Sequence, residues 1–257
     1  MRTVISLSGG MDSTGLLLHL LNKGCEVDAL TFNYGQKHLI EIDRAKANIE
    51  YLRSKGHSVT HKIINLSDAM SCFHSALTDT DFEVPEGYYE EENMKDTVVP
   101  NRNAIFSSIL FGYALSVAKK ESVSVMVALG VHSGDHEIYP DCREPFYDKL
   151  QLAFREGNWD ADKVFFYLPF LKGDKTSILE ECESHCQWLK VDFNTIFKNT
   201  NTSYNPDSLG RSSGKSGADV ERILAFHSIG KADPVTYVKP WEDVLANALE
   251  VQSGYGG

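Results

Sequence analysis

The sequence predicts an α/β fold: a doubly wound, mostly parallel sheet flanked by helices, with a small helical part at the C-terminal end. Two observations carry this expectation. Short apolar runs alternate with helix-period segments over residues 1–190, the pattern of a parallel sheet with helices on both faces. A Gly-rich turn also joins the first strand to the first helix, where folds of this class bind phosphate. A hydrophobic content of 42 % over 257 residues supplies the apolar surface for one large core.

Thr3 to Leu7 reads as the first strand, followed by Ser8-Gly9-Gly10 and by Leu16, Leu17, Leu20 and Leu21 at helical spacing up to Gly24. Val27 to Asn33 forms a second strand, residues 40–55 a second helix closed near Gly56, and Ser58 to Ile64 a third strand. Residues 102–120 carry Ile105, Ile109, Tyr113 and Val117 on one helical face, and Ser122 to Leu129 and Val164 to Leu168 supply two further strands. Two segments break the pattern. Residues 79–96 collect Asp79, Asp81, Glu83, Glu86, Glu90, Glu91, Glu92 and Asp96 against Lys95 alone, which predicts a solvated insertion or, alternatively, an acidic docking surface. Residues 199–217 are rich in Asn, Ser and Gly and predict a pliable loop. Val220, Ile223, Leu224 and His227 mark a late helix, and Ser253 to Gly257 a loose tail. The expected organisation is a nucleotide-binding α/β domain over 1–190, with a loop and helical region over 191–257 packed on it.

A net charge of −11 gives no global attraction to a phosphate backbone or an anionic membrane surface, so neither nucleic acid nor membrane is an expected partner. No apolar run is long enough for a membrane span, and a cytoplasmic location is expected. The five cysteines, at 25, 72, 142, 182 and 186, show no paired spacing and indicate reduced thiols.

The Ser8-Gly9-Gly10-Met11-Asp12-Ser13-Thr14 segment carries the first chemistry. Its glycines let backbone amides turn toward an anion, and the following helix adds partial positive charge, so phosphate or pyrophosphate belongs there. It lacks the lysine of a Walker loop and the spacing of GxGxxG. The plainer alternative makes Asp12 or Ser13 a helix N-cap.

This loop resembles the pyrophosphate loop of the N-type ATP pyrophosphatases, of the HUP class. Tyr34-Gly35-Gln36-Lys37-His38, Val99-Pro100-Asn101-Arg102-Asn103 and Tyr139-Pro140-Asp141-Cys142-Arg143 resemble, in order, the further signatures of the QueC family, the 7-cyano-7-deazaguanine synthases. The resemblance runs through Asp233-Pro234 and Tyr237. It implies a ligase that adenylates the carboxylate of 7-carboxy-7-deazaguanine with ATP and Mg²⁺, releases pyrophosphate, and admits an amine. Ser8, Gly9, Gly10, Asp12, Ser13 and Thr14 then bind ATP, with Asp12 reaching Mg²⁺ through the phosphates. Asp12, Lys175 and Arg102 carry catalysis, Lys175 standing where the family places a phosphate-contacting lysine. Gln36, His38, Asn101, Asn103, Asp141 and Arg143 bind substrate, a carboxylate at Asp141 suiting the adjacent N–H donors of a guanine-like edge and Arg143 the substrate carboxylate. The alternatives are a surface lysine, a structural ion pair for Arg102, helix capping or ion pairing for Asp141 and Arg143, and a structural role for His38.

The chain departs from the family at the four-cysteine zinc site, whose positions fall on Ser203, Ser213, Ser216 and Asp219; no zinc is therefore expected. The stretch ahead of Tyr139 also differs, reading His136-Glu137-Ile138. Both changes point to an altered acceptor, and the reading leans to a protein amine, a role associated with phage defence, in a homodimer or in complex with the protein substrate. Ammonia, with formation of the nitrile, is the alternative, and a catalytically silent nucleotide-binding scaffold a second.

Overall fold

In the computed structural model, which describes residues 1–79, 81–87, 92–132 and 139–255, β1 (Arg2–Ser6) runs through the middle of an all-parallel sheet of five strands. β2 (Glu26–Asn33) and β3 (Val59–Asn65) lie on one side, β4 (Val125–Ala128) and β5 (Val164–Tyr167) on the other, giving the order β3-β2-β1-β4-β5. Parallel neighbours need crossover connections, and the helices supply them. They are α1 (Met11–Asn22), α2 (Ile40–Ser54), the one-turn α3 (Ser67–Met70), α4 (Arg102–Glu121), α5 (Glu144–Gly157), α6 (Lys175–Leu189), α7 (Phe193–Lys198), α8 (Gly217–Ser228) and α9 (Trp241–Tyr255).

Because successive strand side chains point to opposite faces, each strand feeds two cores. Ile5, Ala29, Met126 and Ala128 pack with Leu16, Leu17 and Leu20 of α1, Ile49 and Leu52 of α2, and Ile178 and Leu179 of α6. Val4, Leu30, Val125 and Val127 face the opposite way, onto Leu110, Phe111, Ala114 and Val117 of α4 and Tyr147 of α5. Helices thus cover both faces, as the alternating pattern requires. The first core also takes in Phe197 of α7 and Phe226 of α8.

Two expectations need correction. Ser253 to Tyr255 belong to α9 and are not a loose tail; Gly256 and Gly257 lie outside the described residues. Residues 199–216 do form a loop ahead of α8, but in place of a solvated, pliable one it is tied down by two α8 side chains, Asp219 and Arg222. The fully buried Arg222 guanidinium donates to both oxygens of Asp233 at 2.6 and 2.9 Å, to Thr200 at 2.7 Å, to Thr202 at 3.0 Å and to the Phe197 carbonyl at 3.2 Å. All five guanidinium protons are engaged, so a buried charge that would otherwise be costly is matched on every side. Ser203, Ser213 and Ser216 each donate a hydroxyl to one oxygen of the buried Asp219, at 2.9, 2.8 and 2.9 Å. Burial pushes the Asp219 carboxyl up from its usual range, and the three hydroxyls oppose that rise.

The acidic stretch packs in part: Met94 is buried against Tyr139, Cys142 and Ala218, and Glu86 pairs with Lys215 at 3.2 Å. Glu90, Glu91 and His136-Glu137-Ile138 lie outside the described residues. Among the described residues no helix is long and apolar enough to cross a membrane.

Candidate active site

The strand order reverses at β1, with β2 on one side and β4 on the other, and in sheets of this kind ligands bind beyond the carboxyl ends of the strands at that point. A cavity of about 230 Å³ lies there, lined among others by Ser8, Gly10, Asp12, Ser13, Gly130 and Lys175. Gly9 has φ +93°, and a Cβ at that position would run into the Glu41 carbonyl, so the turn requires glycine. A Cβ at Gly130 would stand 3.1 Å from the Asp12 carbonyl oxygen, which keeps the exit of β4 close against the start of α1.

The N-cap of α1 is Gly10, with no side-chain cap. The capping alternative for Asp12 and Ser13 is therefore set aside: the Ser13 hydroxyl is 2.9 Å from that of Ser8 and accepts the Ser8 amide at 3.2 Å, bracing the turn. Without a cap, the first amides of α1 remain to meet an anion.

Asp12 and Lys175 meet across the cavity. The buried Lys175 ammonium lies 3.5 Å from Asp12, 2.7 Å from Glu221 of α8 and 2.9 Å from His132 Nε2, and His132 is 3.7 Å from Asp12. Burial opposes ionisation of Asp12, but the Lys175 charge and then His132 outweigh it and hold the carboxyl well below the usual carboxylate range. Asp12 Oδ1 is buried with no hydrogen-bond partner among the described residues. A buried, ionised carboxylate oxygen left without a donor beside an anion-binding helix start fits a nucleotide that brings Mg²⁺ on its phosphates.

The opposite wall is aromatic and cationic. Arg102, first residue of α4, places its guanidinium over the Tyr34 ring at 5.7 Å and donates to the Tyr34 hydroxyl at 3.5 Å. Burial weighs against the Arg102 charge, while Tyr34, Tyr139, Tyr204 and Asp141 favour it and prevail. Asn103 lines the same wall and donates to Cys142 Sγ at 3.5 Å. His38 and Glu41 close the floor, Nε2 to Oε2 at 3.6 Å. Burial drives them in opposite senses, the His38 imidazole down to about 3 and the Glu41 carboxyl up to about 8, so at neutral pH both are uncharged.

The family model described as Queuosine biosynthesis protein QueC matches residues 2–230. The chain belongs to the QueC family. A 7-cyano-7-deazaguanine synthase from Methanoregula boonei is 40 % identical over 237 residues, covering 92 % of this chain and 99 % of that protein. A second, from Hahella chejuensis, is 42 % identical over 237 residues, covering 92 % and 93 %. Among solved structures, the NMN synthetase from Francisella tularensis aligns with a TM-score of 0.42 at 18 % identity, over 98 % of this chain and 82 % of that one.

The structure gathers Ser8, Gly10, Asp12, Ser13, His38, Arg102, Asn103 and Lys175 on one cavity. The remaining residues expected there stand off its wall, for different reasons. Gly9 packs on α2, and Thr14 is fully buried behind the loop. Gln36 is bound internally: its amide donates to Glu41 at 2.8 Å and to the Phe32 carbonyl at 3.1 Å, and its oxygen accepts the Tyr34 amide at 2.9 Å. It positions Glu41. Asn101 is exposed in the left-handed region, φ 58°, as the turn into α4. Asp141 is half-buried and acts on Arg102 through its charge, and Arg143 is exposed as the N-cap of α5.

Several wall residues lay outside the motif reading: Glu41, Leu129, Val131, Asn201 and Thr202 from the cavity lining, and His132 and Glu221 around Lys175. His132 follows β4, so its distance from the strand-order reversal could have found it. Glu221 carries no sequence signal, being 46 residues from the lysine it pairs with.

Proposed function

We propose that this protein is an ATP-dependent synthase that converts 7-carboxy-7-deazaguanine and ammonia to 7-cyano-7-deazaguanine. One observation carries the reading: an uncapped glycine turn, a buried Asp12–Lys175 pair and the Arg102 guanidinium share one cavity in a QueC-family chain. The substrate carboxylate, held by Arg102 against the Tyr34 wall, attacks the α-phosphorus of ATP. Pyrophosphate leaves onto the amides at Gly10 to Ser13 and the Lys175 ammonium, which stabilise charge that grows in the transition state. Asp12, through its unpartnered Oδ1, would hold Mg²⁺ brought by the nucleotide, which would supply further neutralisation of the phosphate charge. Ammonia then attacks the acyl adenylate, AMP leaves with the amide formed, and a second adenylation of the amide oxygen followed by loss of AMP and a proton leaves the nitrile.

We take ammonia as the acceptor in place of the protein amine to which the altered loop pointed. Relatives about 40 % identical are named 7-cyano-7-deazaguanine synthase. The altered loop is also closed on itself through Ser203, Ser213, Ser216 and Asp219. We also propose that this loop works without zinc, since three hydroxyls already engage one oxygen of the carboxylate and none of these residues is a thiolate. Mass spectrometry of products from ATP, 7-carboxy-7-deazaguanine and ammonia tests the reading: nitrile with two AMP per product is expected. AMP without nitrile, accompanied by a protein that has gained the deazaguanine acyl mass, would return the protein amine as acceptor.

A further inference from the structure

Helices α1 and α6 lie against each other, Gly15 of α1 being so close that a Cβ there would stand 2.7 Å from Ile178 and 3.2 Å from Cys182 Sγ. One to two turns further along, three potential ligands converge at this seam. His19 Nδ1 is 3.4 Å from Glu181 Oε2, His185 Nε2 is 3.6 Å from the same oxygen, and one ligand atom from each of the three residues falls within 4.8 Å of the others. Bonds of about 2.0–2.1 Å to a tetrahedral zinc ion place neighbouring ligand atoms roughly 3.3–3.4 Å apart, close to the two measured separations, and the remaining His19–His185 separation, within 4.8 Å, would contract on binding.

The ring nitrogens at this seam face the Glu181 carboxylate. His19 Nδ1 and both ring nitrogens of His185 are buried and make no hydrogen bond. Without an ion, the two imidazoles share long contacts of 3.4 and 3.6 Å to one Glu181 oxygen, and His185 Nδ1 has no hydrogen bond. His19 Nε2, by contrast, is fixed 3.0 Å from the Tyr167 hydroxyl, the outer contact that sets the tautomer of a ligating imidazole and aims its other nitrogen. Glu181 is half-exposed and gives the ion a way in.

We propose that His19, Glu181 and His185 bind one divalent first-row metal ion of the zinc class, with a fourth position open to water. Two imidazoles and one carboxylate select such an ion over Mg²⁺ or Ca²⁺, which prefer all-oxygen shells. The ion clips α1 to α6, the helices whose opposite ends hold Asp12 and Lys175, and it is separate from the serine-lined loop at Asp219.

Zinc(II) alone, titrated into untagged full-length protein stripped with chelator, tests this. The expected result is one equivalent bound, with the thermal midpoint rising by roughly 5 °C or more at about a hundredfold excess over Kd. His185→Ala and the conservative Glu181→Gln should each weaken binding by on the order of 100-fold and abolish the shift, as loss of a direct ligand does. Glu181→Gln changes a half-exposed side chain and keeps the fold as the control. Cobalt(II) in the same site should absorb without a thiolate charge-transfer band. Failure of the wild-type chain to bind zinc, full binding by both variants, or a thiolate band from Cys182 or Cys186 overturns the proposal.

Discussion

Replacing Ser213 by alanine removes one of three hydroxyl donors from the buried Asp219 oxygen and leaves the other two in place. The lost bond is 2.8 Å long and points to a carboxylate, and hydrogen bonds to charged groups contribute about 1.5–3 kcal/mol each. We expect Ser213→Ala to lower stability by about 2 kcal/mol, which in a chain of this size lowers the thermal midpoint by roughly 4–8 °C. Ser216→Ala should cost more. That hydroxyl donates to Asp219 and also accepts the Asp219 amide at 3.2 Å as the N-cap of α8, and a lost cap adds about 1 kcal/mol. Because both hydroxyls serve one oxygen, the double variant should fall short of the sum of the singles. Calorimetry with chelator present, on wild type and the three variants, measures all of these differences under identical conditions. Losses below about 0.5 kcal/mol in both single variants, the range of ordinary surface changes, would refute the claim that these hydroxyls hold the loop.

Three further outcomes are expected. Asp12→Asn and Lys175→Met should each lower substrate-dependent pyrophosphate release by on the order of 10²-fold or more, read by a coupled pyrophosphate assay, as loss of a positioned charge stabiliser does. Glu41 has its folded value raised from 4.5 to about 8, so the stability it contributes is present in acid and is lost as the pH climbs toward 8. His38, lowered from 6.5 to about 3, contributes the opposite slope between those values and none above 6.5. Stability should therefore decline between pH 6.5 and 8 through Glu41, and Glu41→Gln should flatten that part of the urea-denaturation profile. Gly9→Ala should abolish ATP-dependent turnover, since the left-handed turn and the Glu41 carbonyl both exclude a Cβ; wild-type kcat in a folded variant would contradict this.

The parts of this molecule that the sequence made legible are those whose causes are local. β1, the glycine turn and α1 lie within one run of 22 residues, where apolar spacing and the two glycines state the geometry directly. Arg102 and Asn103 were found through the Val99 to Asn103 motif, which stands at the opening of α4. Gln36 shows the limit of a motif: its residue type suits a substrate contact, but its partners, Phe32, Tyr34 and Glu41, are neighbours in the chain that the motif does not mark as partners. Composition misled most at 199–217. Asn, Ser and Gly normally mean solvated loop, but here the charges that bury them, Asp219 and Arg222, arrive only with the following helix. Lys175 was legible as a residue while its setting was not, because His132 and Glu221 reach it from 43 and 46 residues away.

The Asn201 amide donates to the Gly9 carbonyl at 2.9 Å, so the turn that opens the first helix is completed by a residue near the far end of the chain. The five strands end at Tyr167, whereas Asn201, Thr202, Tyr204 and Ala218, which close the cavity, come later in the chain. A nascent or truncated chain ending near residue 190 therefore holds the sheet, Asp12 and Lys175 but no finished nucleotide pocket, and Lys175 lacks Glu221. The pocket is thus shared between the first and the last quarter of the sequence, so its completion depends on the C-terminal helices docking back onto the glycine turn.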